Sequence, residues 1–148
     1  MKPYAENRKA RHEYLVLETF EGGLSLTGAE VKAIREGGAK LDGAYVRFLG
    51  GRLVLLGAHI RPYSKMSGRE TYDPDRTRAI LVNKREMRQL AGKIDQKGLT
   101  LVPLSFYPSA RRIKLSFALC RGKKAPDKRE ALKERDIMRQ ARRGRDEE

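Results

Sequence analysis

A single cysteine (Cys120), two histidines (His12 and His59) and no tryptophan stand in this chain of 148 residues. One cysteine excludes an internal disulfide and any multi-cysteine zinc site. Cys120 reads as a small core residue, and a chain without disulfides suits a reducing cytoplasm. Long apolar runs are also missing. The longest, Leu53 to Ala58, is far short of the ~20 residues that span a bilayer. Met1 to Arg11 holds no apolar stretch that would act as a signal peptide. A soluble protein with no membrane association is expected.

Catalytic signatures are equally scarce. There is no phosphate-binding glycine-lysine loop, no nucleophile elbow and no helical histidine pair for zinc. Asp73 and Asp75 flank Pro74, but no Gly and Glu follow at calcium-loop spacing, so they read as a turn. His12 and His59 have the chemistry for acid–base cleavage of RNA, yet nothing in the sequence brings them together. His12 sits in a basic run where a phosphate or base contact is simpler, and His59 reads as structural. No catalytic residue, metal or cofactor is expected.

What the chain has in excess is positive charge: 33 Lys and Arg against 19 Asp and Glu, a formal net charge of +14. Such an excess points to a polyanion. The charge is unevenly placed. Arg121 to Arg145 carries 11 basic residues against Asp127, Glu130, Glu134 and Asp136, with few large apolar residues. Residues 1–120 hold 22 basic and 12 acidic residues, a net +10. The chain divides into a folded body, 1–121, and a basic tail, 122–148. In helical projection Lys128, Arg135, Arg139 and Arg142 share one side, while Ala131, Ile137, Met138 and Ala141 cluster on another. That apolar patch is too narrow to anchor a helix on the body. The tail is expected to be disordered when free and helical against RNA.

The body reads as strands joined by turns. Tyr14 to Phe20 is rich in β-formers, and Glu21-Gly22-Gly23 predicts a turn into a short strand, Leu24 to Leu26. Ala44 to Leu49 and Arg52 to Arg61 flank Gly50-Gly51, a hairpin signal. Arg78 to Val82 is a further strand. Leu99 to Tyr107 and Arg112 to Cys120 flank Pro108-Ser109-Ala110. In the last strand Ile113, Leu115, Phe117 and Leu119 alternate with Arg112, Lys114, Ser116 and Ala118, predicting one buried and one basic face. Two short helices interrupt these strands. Thr27 with Glu30 forms a capping box, and Asn83 with Glu86 repeats the start signal. Pro62 to Arg76 reads as one long loop. The expected architecture is mainly β: a small antiparallel oligonucleotide-binding-like barrel with two or three short helices, or alternatively a small β-sandwich. Tyr14, Tyr45, Phe48 and Tyr107 have rings able to stack on bases, though core packing suits them equally.

Several strings resemble the bacterial SsrA-binding protein family (small protein B). They are Asn7-Arg-Lys-Ala-Arg-His-Glu-Tyr14, Glu18-Thr-Phe-Glu-Gly-Gly-Leu24, Gly28-Ala-Glu-Val-Lys-Ala-Ile-Arg35, Asp73-Pro-Asp-Arg-Thr-Arg78, Gln96-Lys-Gly-Leu-Thr-Leu-Val-Pro-Leu104 and Arg121-Gly-Lys-Lys-Ala-Pro-Asp-Lys-Arg129. The resemblance implies an RNA-binding adaptor rather than an enzyme. Its partners would be the tRNA-like domain of transfer-messenger RNA, the decoding centre and mRNA channel of a stalled ribosome, and elongation factor Tu with alanyl-tmRNA. It would act in trans-translation, as a monomer. Carried over by position, Asn7, Glu21, Leu81 and Lys114 match the family's RNA-binding surface, with Lys9, Arg11 and His12 in the segment beside them. On periodicity alone Leu81 reads as core. Gly122, Lys123, Lys124, Asp127, Lys128 and Arg129 match tail segments that engage the ribosome, and Ile137 and Met138 match an apolar pair near the tail's end. Pro126 departs from the histidine or aromatic residue of many members and cannot stack as they do. From the residues alone, a general rRNA-binding ribosomal accessory protein and a small ribonuclease remain alternatives.

Overall fold

Alternating burial and well-placed glycines shape the strands. The structure, a computed structural model, describes residues 2–94 and 98–122. In chain order the elements are β1 (Ala5–Glu6), α1 (Arg8–Glu13), β2 (Tyr14–Leu24), α2 (Gly28–Arg35), β3 (Ala39–Lys40), β4 (Tyr45–Leu49), β5 (Arg52–Leu56) and β6 (His59–Ile60). After a 3-10 turn at Arg69–Thr71 come β7 (Arg78–Leu81), α3 (Lys84–Ile94), β8 (Leu99–Ser109) and β9 (Arg112–Gly122).

Every strand pairing is antiparallel. Six strands close into a ring, β8–β4–β5–β7–β2–β9 and back to β8, and β1 extends β8 beyond β4. Closure leaves few unpaired sheet edges. The ring is the expected oligonucleotide-binding-like barrel and not a sandwich of two sheets. Its seams are uneven. β8 and β9 pair along their whole length, whereas β4 meets β8 only at Val46 and Leu101. β8 bulges between Pro103 and Ser105, and β2 between Val16 and Glu18. Such bulges bend long strands around a small barrel.

The core collects one face of each strand. Leu53, Leu55, Leu101, Phe106, Ile113, Leu115 and Phe117 are buried inside the ring. Phe20 stacks on Phe117 with ring centroids 5.7 Å apart. Fully burying a side chain of this size contributes about 1.5–3 kcal/mol. The last strand keeps its predicted inner face. Its outer face is basic only at the start, because Ala118 and Cys120 are buried in a second cluster with Ala10, Val102 and Leu104. Helix α1 therefore covers the far end of β9. Burial pushes the Cys120 thiol up to about 11.

Two expectations about the strands need correcting. Glu21-Gly22-Gly23 is no turn but the continuation of β2, with Gly22 opposite Leu115 and Gly23 opposite Leu81. A Cβ on Gly22 would come within 2.8 Å of Ile80 Cγ2, so here glycine serves close strand approach rather than chain reversal. The run Arg52 to Arg61 is two strands, because His59 and Ile60 leave β4 and pair with β3. β9 runs to Gly122, which pairs with Tyr14.

The helix signals held. Thr27 Oγ1 accepts from the Glu30 amide at 3.1 Å, and Glu30 Oε1 accepts from the Thr27 amide at 3.0 Å. Ala33 and Ile34 then pack into the core. Asn83 Oδ1 accepts from the Glu86 amide at 2.8 Å, and Leu90 is buried. The Gly50-Gly51 turn has positive φ at both residues, as a two-residue hairpin loop requires.

Glu30 does more than cap. It is 1% exposed, and Arg78, at 0%, donates to its Oε2 from Nη2 (2.6 Å) and Nε (3.1 Å). Arg76 and the Tyr72 hydroxyl donate to the same carboxylate. Burial alone would raise its pKa, but the arginine and Thr27 hydrogen bonds outweigh it and hold the group at about 2. The Pro62–Arg76 segment, expected as a plain loop, is thus tied at its far end to α2 and β7.

Candidate nucleic-acid interface

Asn7 builds the first part of the basic surface. Its Oδ1 accepts from the Ala10 amide at 3.2 Å, capping α1, and its Nδ2 donates to the Pro103 carbonyl at 2.9 Å. Its own amide donates to the Leu104 carbonyl at 2.8 Å. Asn7 is buried. It holds α1 onto β8 rather than reaching into solvent. With Ala10 buried beneath, Lys9, Arg11 and His12 are exposed on α1. Beside them a cleft of about 300 Å³ runs between α1, β4 and β8, lined by Lys9, Glu13, Tyr45 and Arg47. Tyr45 is exposed, with the Arg47 guanidinium 4.8 Å from its ring centre.

A second polar face lies at the other end of the long strands. Glu21 (β2), Ser116 and Lys114 (β9) and Tyr107 (β8) share the outer surface. Glu21 sits opposite Ser116, and Lys114 opposite Tyr107. The Tyr107 hydroxyl donates to Glu21 Oε1. Burial, then the Glu21 hydrogen bond and charge, push the Tyr107 pKa to about 12. Next to this face is a cleft of about 430 Å³ lined by Leu24, Val31, Leu81, Arg111, Arg112 and Lys114. Leu81 is 57% exposed at the end of β7, which overturns its reading as core from periodicity. The hairpin tip is fixed by Arg35, whose Nη2 donates to the Arg111 carbonyl at 3.0 Å.

The expected RNA-binding residues therefore fall in two places. Leu81 and Lys114 line one cleft, and Glu21 lies on the adjoining face. Lys9, Arg11 and His12 sit at the other end of β2, because α1 runs directly into Tyr14. Tyr14 and Glu21 are seven residues apart in β2, roughly 23 Å at about 3.3 Å per residue. Gly122 pairs with Tyr14, so the last described residue of β9 lies beside α1 and not beside Lys114. The remaining tail residues singled out above, Lys123, Lys124, Pro126, Asp127, Lys128, Arg129, Ile137 and Met138, lie outside the described residues.

Sequence reasoning placed Arg112 on the basic face of the last strand and offered Tyr107 as a stacking ring, but it missed Arg111 and the tie between Tyr107 and Glu21. The available signal was the basic pair just after Pro108-Ser109-Ala110, which a hairpin places at an exposed tip. Of the other aromatic residues considered, Tyr14 and Phe48 are half-buried against the two core clusters. His59 Nδ1 lies 2.9 Å from Asp75 Oδ1 on a two-stranded sheet, whereas His12 is on α1. They form no acid–base pair. Asp73 Oδ1 accepts from the Asp75 amide at 2.9 Å, the expected turn. Among the described residues no group of three or more His, Cys, Asp or Glu side chains is placed to hold a metal ion. Among the same residues no helix is long and apolar enough to cross a membrane.

The family model described as "SmpB protein" matches residues 4–147. The chain belongs to the SmpB family. An SsrA-binding protein of Microcystis aeruginosa is 48% identical over 139 residues, covering 94% of this chain and 90% of the relative. One of Coprothermobacter proteolyticus is 46% identical over 144 residues, covering 97% and 96%. A solved structure described as "tmRNA-SmpB: a journey to the center of the bacterial ribosome" is 47% identical, with a TM-score of 0.69. It covers 90% of this chain and 94% of that one. The SmpB match thus takes in both barrel faces and nearly all of the tail.

Proposed function

We propose that this chain is an RNA-binding adaptor of trans-translation. It binds the tRNA-like domain of transfer-messenger RNA and delivers it to stalled ribosomes for rescue and peptide tagging. The barrel grips the RNA, and the tail, 122–148, engages the small-subunit decoding centre and the mRNA channel. Delivery occurs with elongation factor Tu and alanyl-tmRNA, in the cytoplasm, with the protein as a monomer. It binds and positions RNA and does no catalysis of its own.

The gathering of Glu21, Leu81 and Lys114 on one exposed face of an SmpB-family barrel carries this reading. A carboxylate accepts hydrogen bonds from guanine or a 2′-hydroxyl, and a lysine neutralises phosphate. An exposed leucine gives an apolar platform beside them. Lys9, Arg11 and His12 supply a second basic contact at the opposite end, held there by Asn7.

Two sets of variants test the division of labour. Lys114→Ala weakens binding to the tRNA-like domain. Joint replacement of Asp127, Lys128 and Arg129 by Ala leaves that binding intact and abolishes tagging on stalled ribosomes. If the tail variant lost RNA binding to the same degree as the barrel variant, the two-part reading would fail.

A further inference from the structure

Opposite charges on one exposed face tend to quench each other, and the Glu21–Lys114 face carries both. Glu21 stands opposite Ser116, and Lys114 is two residues further along the same strand and face. This is the diagonal relation across paired strands, about 7–8 Å between backbones, within easy reach of two long side chains. Yet among the described residues the two form no ion pair. The Glu21 carboxylate is instead held by the Tyr107 hydroxyl. Tyr107 lies on β8, two strands away, with β9 between. Its ring can cross β9 because the intervening outward residue, Ser116, is small, as is Ser105 opposite it.

We infer that Tyr107 is a positioning residue that latches Glu21 away from Lys114, so that the carboxylate and the ammonium stay separately available to RNA. The inference rests on the reading of this face as the RNA-binding face. Phenol suits the task because it donates to a carboxylate while carrying no charge of its own. Its ionisation is held far above neutral pH, so it remains a donor throughout the working range. Without the hydroxyl, Glu21 can swing to Lys114. RNA must then break a surface ion pair before Lys114 meets a phosphate and Glu21 meets a base or sugar donor.

The test uses the full chain and a transcript of the tRNA-like domain of transfer-messenger RNA. Affinity is measured between about 50 and 200 mM salt for wild type, Tyr107→Phe, Glu21→Gln, the double variant and Lys114→Ala. Tyr107→Phe keeps the ring and its packing, and circular dichroism should match wild type. It is expected to bind ~3- to 5-fold more weakly, the scale of one surface ion pair. Its log-affinity against log-salt slope should be shallower by about 0.7–0.9, the value of one phosphate contact. In the Glu21→Gln background, where no carboxylate is left to quench Lys114, Tyr107→Phe should leave the slope unchanged. A merely structural tyrosine would not produce that rescue. The inference is overturned if Lys114→Ala flattens the slope while Tyr107→Phe does not, or if Tyr107→Phe flattens it equally in both backgrounds. If Lys114→Ala changes neither affinity nor slope, the face is not the RNA site, and the underlying reading falls together with the inference.

Discussion

Replacing Glu30 by Gln should remove the anchor on which α2, β7 and the Pro62–Arg76 segment converge. The charge of Glu30 is held by Arg76 and Arg78, and Arg78 is wholly buried. Its pKa falls from an ordinary 4.5 to about 2, which by linkage corresponds to ~3 kcal/mol of stability at neutral pH. Losing the charge also leaves the Arg78 guanidinium uncompensated, and breaking a buried pair costs about 3–5 kcal/mol. The two figures agree. For a chain of this size the melting temperature should fall by roughly 10–15 °C at pH 7. The sign with pH is fixed. A carboxylate with a depressed folded pKa stabilises above its unfolded value and loses that contribution as pH falls toward the folded one. The gap between wild type and Glu30→Gln should therefore be full above about pH 4.5 and shrink progressively toward pH 2. Urea unfolding of both proteins between those limits measures it. A neutral-pH gap under ~1 kcal/mol, the size of an exposed pair, would refute the reasoning. So would a gap that stays constant on acidification.

Gly22→Ala should destabilise by about 1–3 kcal/mol, as overpacking does, because its new methyl would meet the Ile80 side chain within 2.8 Å; thermal unfolding reads this directly. Asn7→Ala removes the α1 cap and leaves the buried Pro103 carbonyl without its donor. It should cost about 1–3 kcal/mol. It should also weaken binding of the tRNA-like domain through displacement of Lys9, Arg11 and His12, a loss that Asn7→Asp restores in part because a carboxylate still caps.

Most of the strands and the starts of α2 and α3 were legible in the sequence because they rest on local signals: alternation in β9, Gly50-Gly51, and Thr27 and Asn83 three residues before a glutamate. What was not legible depends on contacts distant in the chain. The Gly22-Gly23 pair looks like a turn until β7 approaches it. Leu81 looks like core until the strand is seen to end at an open cleft. The short α1 was hidden in a basic run, since its anchor is an asparagine bonded to Pro103, 96 positions away. The separation of Lys9, Arg11 and His12 from Glu21 and Lys114 follows from β2 being one continuous strand, which the misread turn concealed. Tyr107 was visible as an aromatic residue, but its tie to Glu21 reaches across β9.

The central claim is that the barrel face around Lys114 binds transfer-messenger RNA in the cell. The most direct measurement is to recover the full chain from bacterial cells and sequence the RNA that comes with it, beside the Lys114→Ala variant. The account predicts strong enrichment of transfer-messenger RNA with the wild-type chain and a marked drop with the variant. Recovery dominated by bulk ribosomal RNA, equal for both proteins, would contradict it.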